Sequence, residues 1–316
     1  MAENNALYKV GPKEESFSQF LWNSETKQFL GRTGASWCKI GIFYVIFYAC
    51  LAGFFAIMLT VFYQTIDTNH MPKYTPGKDG GSLLRHPAMG FRPLPRAENI
   101  ESTLIWYKNG DNDDIKHWTD SLDIFIKPYE GAGGDLSGQH LVDCSDEKPP
   151  GEDEVCRFQD TWLTDKCQKA EKWGYNRESP CVILKLNRMI NWVPEVYETE
   201  EELPEKMPQS LKEHIKKRIH DNSGVMPKMI WVSCKGENPA DEEYIGPINY
   251  SPFQGFPAYY FPFRNTPGYL PPIVAIQFNQ PQSNVLINIE CKAWAKNIVH
   301  DRQNRLGLVH FELLKD

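Results

Sequence analysis

Residues Ile40–Tyr63 read IGIFYVIFYACLAGFFAIMLTVFY, twenty-four consecutive residues without a charged side chain. As an α-helix this run spans about 36 Å, enough to cross a hydrocarbon core of about 30 Å with some tilt. A helix buried in a soluble core would carry a polar stripe over that length; this run has none, so it reads as a membrane span. The 39 residues ahead of it are polar and offer neither an early hydrophobic region nor a small-residue cleavage site. The span is therefore expected to be an uncleaved signal anchor. Flanking charge orients it only weakly, with Lys27, Arg32 and Lys39 before it and Lys73 and Lys78 after it.

Cysteine usage decides the orientation. Cys38 and Cys50 lie at or in the span, whereas Cys144, Cys156, Cys167, Cys181, Cys234 and Cys291 all lie beyond it. An even set in the long C-terminal portion fits an oxidising compartment, which makes the topology single-pass type II with the C-terminal part outside the cell. Zinc would require a short C-x2-4-C knuckle, and none is present. Six cysteines leave fifteen connectivities open, of which sequential pairing is the simplest. The sequon Asn249-Tyr250-Ser251 is a candidate glycosylation site on the same side, although Pro252 directly after it lowers its efficiency. Residues 64 to 316 carry 29 basic and 37 acidic side chains, which argues against nucleic-acid binding.

The expected organisation is a cytoplasmic segment at 1–39, the span at 40–63, a Pro- and Gly-rich stalk at 64–97 and a folded extracellular domain at 98–316. Within the last, short β-branched and aromatic runs bounded by turn residues predict strands at Leu122–Ile126, Cys181–Leu186, Met229–Cys234, Ile273–Phe278, Val285–Cys291 and Leu306–Leu314. In the fifth run, Val285, Ile287 and Ile289 alternate with Leu286, Asn288 and Glu290, the pattern of a strand with one face toward a core. One helix is predicted from Ser210 as cap, with Glu213 completing a capping box, Leu211, Ile215 and Ile219 as apolar stripe and Gly224 past its end. The fold expected is a mainly-β, immunoglobulin-like sandwich with a helical insertion, stapled by disulfides.

Catalytic motifs are missing: no phosphate-cradling loop, nucleophile elbow, metalloprotease helix or kinase set occurs, so no catalytic residue, cofactor or metal site is expected. Type II topology is shared with glycosyltransferases that hold a metal on a D-x-D pair, which directs attention to Asp111 and Asp113. They sit in NGDNDD, where every residue favours a turn. His214 and His220 are six residues apart and fall on opposite faces of the predicted helix.

What the chain does concentrate is contact surface. On a helical projection of the span, Tyr44, Phe47, Tyr48, Leu51 and Phe55 form an aromatic ridge beside a strip of small residues, Ala49, Gly53, Ala56 and Thr60. Small strips admit a neighbouring helix, and buried tyrosine hydroxyls need acceptors that lipid does not supply. A second cluster, Pro257 to Arg264 (PAYYFPFR), places Tyr259, Tyr260, Phe261, Pro262 and Phe263 in a loop, where they serve either as interface anchors or as core packing.

Several stretches resemble sodium/potassium-transporting ATPase beta subunits, in order along nearly the whole chain: WNSETKQFLGRTGASW at 22–37, FYVIFYACLAG at 43–53, VCRF at 155–158, YNRESPCVILKLNR at 175–188, YYFPF at 259–263, YLPPIVAIQF at 269–278 and IECKAWAKNI at 289–298. Likeness to proton/potassium-pump beta subunits is weaker in the cytoplasmic motif. The resemblance implies a non-catalytic plasma-membrane subunit. Its partner would be the catalytic alpha subunit of a P-type pump, in surrounding lipid and with room for a small single-span regulatory subunit. It would support folding and delivery of the alpha subunit and tune potassium handling. It further implies that Cys144 pairs with Cys156, Cys167 with Cys181 and Cys234 with Cys291. Tyr44, Tyr48 and Gly53 would pack on alpha-subunit membrane helices, and Tyr260, Phe261, Pro262 and Phe263 would dock on its extracellular face. A cell-adhesion protein is the rival reading.

Overall fold

A computed structural model describes residues 17–24, 26–66, 86–96, 98, 102–131, 141–151, 153–158, 163 and 166–316. The chain divides into two compact units, with the boundary after Ile66.

In the first unit a short helix α1 (Phe17–Leu21) precedes three two-residue strands, β1 (Trp22–Asn23), β2 (Gln28–Phe29) and β3 (Arg32–Thr33). They pair antiparallel, and β2 turns into β3 through Leu30 and Gly31, both with positive φ, the geometry a two-residue hairpin requires. Helix α2 (Gly34–Thr65) then runs for 32 residues. It contains all of the predicted span and extends it at both ends; in the N-terminal extension Trp37 Nε1 donates to Phe29 O at 2.8 Å and fastens the hairpin to the helix. It is the one described helix long and apolar enough to cross a membrane.

The second unit is built on two sheets. One has four strands in the order β10 (Ile248–Ser251), β12 (Ile273–Phe278), β8 (Cys181–Leu186) and β4 (Met89–Arg92), all antiparallel. The other has five, β11 (Gly255–Pro257), β9 (Met229–Gly236), β13 (Leu286–Trp294), β14 (Leu308–Lys315) and β5 (Leu104–Tyr107), antiparallel except for the parallel β14–β5 pair, so the domain is mixed β. A small parallel pair, β6 (Leu141–Val142) and β7 (Val155–Cys156), stands apart. Alternation brings the sheets onto one core. Phe91 of β4 stacks on Phe311 of β14 with ring centroids 5.0 Å apart, and Phe278 of β12 meets the same ring edge-on at 6.1 Å. Ile287, Ile289 and Phe311 are fully buried, as the alternation in β13 and β14 predicts.

Among the described residues three α-helices accompany the sheets: α3 (Asn112–Gly131), α4 (Gln209–Asp221) and the short α5 (Pro239–Tyr244). Helix α3 corrects two expectations. The predicted strand Leu122–Ile126 lies inside it, because Ile115, Trp118, Leu122, Ile126 and Tyr129 recur every three or four residues and all are buried. The turn at Asp111 is its cap: the Asp111 carboxylate accepts from the Asp113 and Asp114 amides at 3.0 and 3.4 Å, which engages the first half of the D-x-D pair in helix initiation. In α4, Leu211 and Ile215 are buried as expected, but Ser210 is inside the helix; Pro208 holds the cap position, where its fixed φ suits helix entry. The strand Met89–Arg92 also falls within the stretch read as stalk, since Met89 and Phe91 alternate into the core.

Candidate functional site

The aromatic ridge of the span is ordered by helical spacing alone. Tyr44 and Tyr48, four residues apart, stack with centroids 6.0 Å apart; Phe43 and Phe47 do the same at 6.2 Å; and Phe47 meets Tyr48 edge-on at 5.4 Å. Along the neighbouring strip, nothing comes within 4 Å of the position a Cβ would occupy on Gly53, and Thr60 donates its hydroxyl to Ala56 O at 2.8 Å, hiding its polarity in the helix. No residue of α2 is buried within the chain. Cys38 and Cys50 are free thiols on this helix.

The second candidate is a loop fastened at both ends by backbone hydrogen bonds. At its start β11 pairs with β9 and Ala258 N donates to Lys228 O at 2.9 Å; at its end Asn191 N donates to Phe263 O at 2.9 Å. Between them a single 3-10 turn, Ala258–Tyr260, is followed by a cis Phe261–Pro262 bond.

This frame divides the five aromatic and proline residues into two sets. Tyr260 and Phe263 retain only 3% and 8% of their exposure, so they pack the domain. The Tyr260 hydroxyl donates to Arg157 O at 3.3 Å, and Phe263 lies against Tyr269 at 4.9 Å with the Arg188 guanidinium 5.4 Å above its ring. Tyr259, Phe261 and Pro262 are half-buried and present one side outward. Tyr259 stacks on Tyr260 at 5.1 Å, and Phe261 meets Trp192 edge-on at 5.7 Å. Burial, with Asp146 adding to it, pushes the Tyr259 hydroxyl up to about 12, and burial raises those of Tyr260 and Tyr269, so all three are neutral donors at physiological pH.

Opposite the loop stands the segment closed by the first disulfide. A cavity of about 240 Å³ lies between Pro149, Pro150 and Val155 on one wall and Phe261, Pro262 and Tyr269 on the other. Cys156 Sγ is 3.8 Å from Tyr259 O, so the Cys144–Cys156 bridge abuts the aromatic loop. The other bridges join Cys167 to Cys181, at the start of β8, and Cys234 to Cys291, which face each other in register on β9 and β13. All three follow sequential pairing. Asn249 is exposed on the edge strand β10, with its sequon Ser251 buried beside it. The supports Trp192, Tyr269 and Arg188 lie outside the strands, in the segments that follow β8 and precede β12, so no strand or helix period marks them as partners of the loop.

The Sodium / potassium ATPase beta chain family model matches residues 8–311. The chain belongs to that family. As a beta chain it is a non-catalytic accessory subunit, and membership implies association with an alpha subunit. It is 45% identical over 307 residues to the sodium/potassium-transporting ATPase subunit beta-2 of Drosophila melanogaster, an alignment covering 96% of this chain and 93% of that protein. Against subunit beta-1 of the same organism identity is 36%, with coverage of 96% and 94%. Subunit beta-1 of Tetronarce californica is 32% identical, with 94% of both chains covered. The single apolar helix near the N-terminus of this beta chain is consistent with a type II anchor.

Proposed function

We propose that this beta chain assembles with the catalytic alpha subunit of a sodium/potassium-exchanging pump in the plasma membrane, its disulfide-bonded domain outside the cell. It supports folding and delivery of the alpha subunit and tunes potassium handling. The observation that carries the reading is the family match along residues 8–311, which covers both the long apolar helix and the disulfide-bonded domain. The helix contributes Tyr44, Tyr48 and Gly53, and the loop contributes the outward sides of Tyr259, Phe261 and Pro262, with Tyr260 and Phe263 holding them in place. Lipid and a small single-span regulatory subunit take the remaining faces of the helix, and Asn249, exposed on β10, carries a glycan. The two sheets are read as an immunoglobulin-like sandwich with helical insertions. Their shared core supports this, while the position of Cys234–Cys291 within one sheet departs from the inter-sheet bridge of antibody domains.

The test is recovery of alpha subunit with the full-length chain from detergent. Phe261→Ala should weaken association about thirtyfold, the effect of losing a hot spot of about 2 kcal/mol, and leave melting of the chain nearly unchanged. Full recovery of the alpha subunit with this variant would refute loop docking. In the span, Gly53→Leu should abolish co-purification by holding the partner helix away, whereas Leu51→Ile should be nearly silent. Equal recovery of the two would place the small strip against lipid.

A further inference from the structure

Strand pairing brings together three cations that no described carboxylate neutralises. Lys185 of β8 stands directly across from Gly90 of β4 and lies over it, its Cε 3.4 Å from where a Gly90 Cβ would be. Arg92 is two residues further along β4 and therefore on the same face. Arg188 follows β8 by two residues. Arg92 Nη1 donates to Phe91 O at 2.7 Å and its guanidinium lies 5.5 Å from the Phe125 ring; Arg188 Nη2 donates to Tyr269 O at 3.3 Å and sits over the Phe263 and Tyr269 rings. Lys185 makes no hydrogen bond or ion pair with a described residue, and burial together with Arg92 and Arg188 lowers its ammonium pKa. Burial likewise lowers that of the Arg92 guanidinium.

Arg92 and Lys185 are half-buried and Arg188 is exposed; holding the first two as like charges, partly desolvated, costs free energy that a carboxylate would recover. Acidic residues outnumber basic ones in residues 64 to 316, so composition does not account for the gap. The patch also runs directly into the aromatic loop. Arg188 covers Phe263 and Tyr269, and Tyr269 lines the same cavity as Phe261 and Pro262. Aromatic rings hold the Arg188 guanidinium in place before any partner arrives, which reduces the ordering cost of binding.

We propose that Arg92, Lys185 and Arg188 form the charged half of the alpha-docking surface and receive an acidic segment of the alpha subunit's extracellular face. The assignment rests on the reading that the aromatic loop docks there. Carboxylates on the partner would neutralise the cluster, speed encounter and select the bound orientation, while the aromatic half supplies buried area.

The experiment co-expresses the full-length chain with the alpha subunit as wild type, Lys185→Glu, Lys185→Gln and Phe261→Ala, and measures alpha recovered at low and high ionic strength, together with melting of each chain. Lys185→Glu should weaken association on the order of tenfold or more, and Lys185→Gln less. Wild-type association should fall as salt rises. Melting should hold in both Lys185 variants, because Lys185 has no described internal partner to lose. If both Lys185 variants assemble like wild type while Phe261→Ala fails, the cationic patch is overturned and the loop reading stands. If Phe261→Ala assembles normally, the loop reading fails and takes the patch with it. If Lys185→Glu leaves assembly intact but loses binding to phosphatidylserine vesicles, the patch belongs to the membrane surface and the proposal is overturned.

Discussion

Replacing Cys234 with serine should leave most of the chain unassembled and lower the stability of its disulfide-bonded domain by about 4 kcal/mol, the loop-entropy value for a bridge of this span. The bridge closes a sequence separation of 57, the longest of the three, and that loop contains β10, β11, the aromatic loop and β12. Cys291 is fully buried opposite Cys234, so the substitution also leaves an unpaired thiol in the core. By contrast, Cys144→Ser opens a separation of only 12 and should cost about 3 kcal/mol. Its bridge abuts Tyr259, however, so its assembly defect should exceed what its stability loss explains. Denaturant midpoints and alpha recovery measured side by side check both claims. A larger midpoint shift for Cys144→Ser than for Cys234→Ser would show that loop length does not rank these bridges.

Tyr260→Ala should unfold the loop's base. The side chain is 3% exposed, stacks on Tyr259 and donates to Arg157 O, so truncation removes a buried ring, leaves a cavity and orphans an acceptor. Large aromatic truncations of this kind cost on the order of 3–5 kcal/mol, which for a domain of this size lowers the melting temperature by roughly 6–20 °C. Assembly should fall in proportion to the folded fraction. Phe261→Ala, in the adjacent position, should show the opposite pattern of near-normal melting and lost assembly. An unchanged melting temperature for Tyr260→Ala would mean that its ring is a surface anchor after all.

The strands most legible in the sequence were short runs rich in β-branched and aliphatic residues bounded by turn residues. Pro180 precedes Cys181–Leu186 and Pro272 precedes Ile273–Phe278, and both runs are strands over the expected residues. Leu122–Ile126 resembles a strand only when its five residues stand without their flanks. Taken from Ile115 to Tyr129, the apolar positions have helical spacing, and the longer period is the stronger signal. Ser210 shows that a capping-box pattern does not by itself fix where a helix starts: it is the second residue of α4, whose entry is set by Pro208.

The residues themselves determined the long apolar helix α2, because a run of twenty-four uncharged positions of the kind that suits hydrocarbon satisfies its backbone within one helix. They also determined family membership, since the matching motifs lie in order along the chain. Only the tertiary structure decided which aromatics of Tyr259–Phe263 face outward. The motif YYFPF has no period of its own, and burial there follows from where β9, Trp192 and Arg157 stand around it. The same holds for the cationic patch. Gly90, Arg92, Lys185 and Arg188 are nearly one hundred residues apart in part, and they meet because the antiparallel register of β4 and β8 sets Gly90 against Lys185, a pairing that depends on the sheet as a whole.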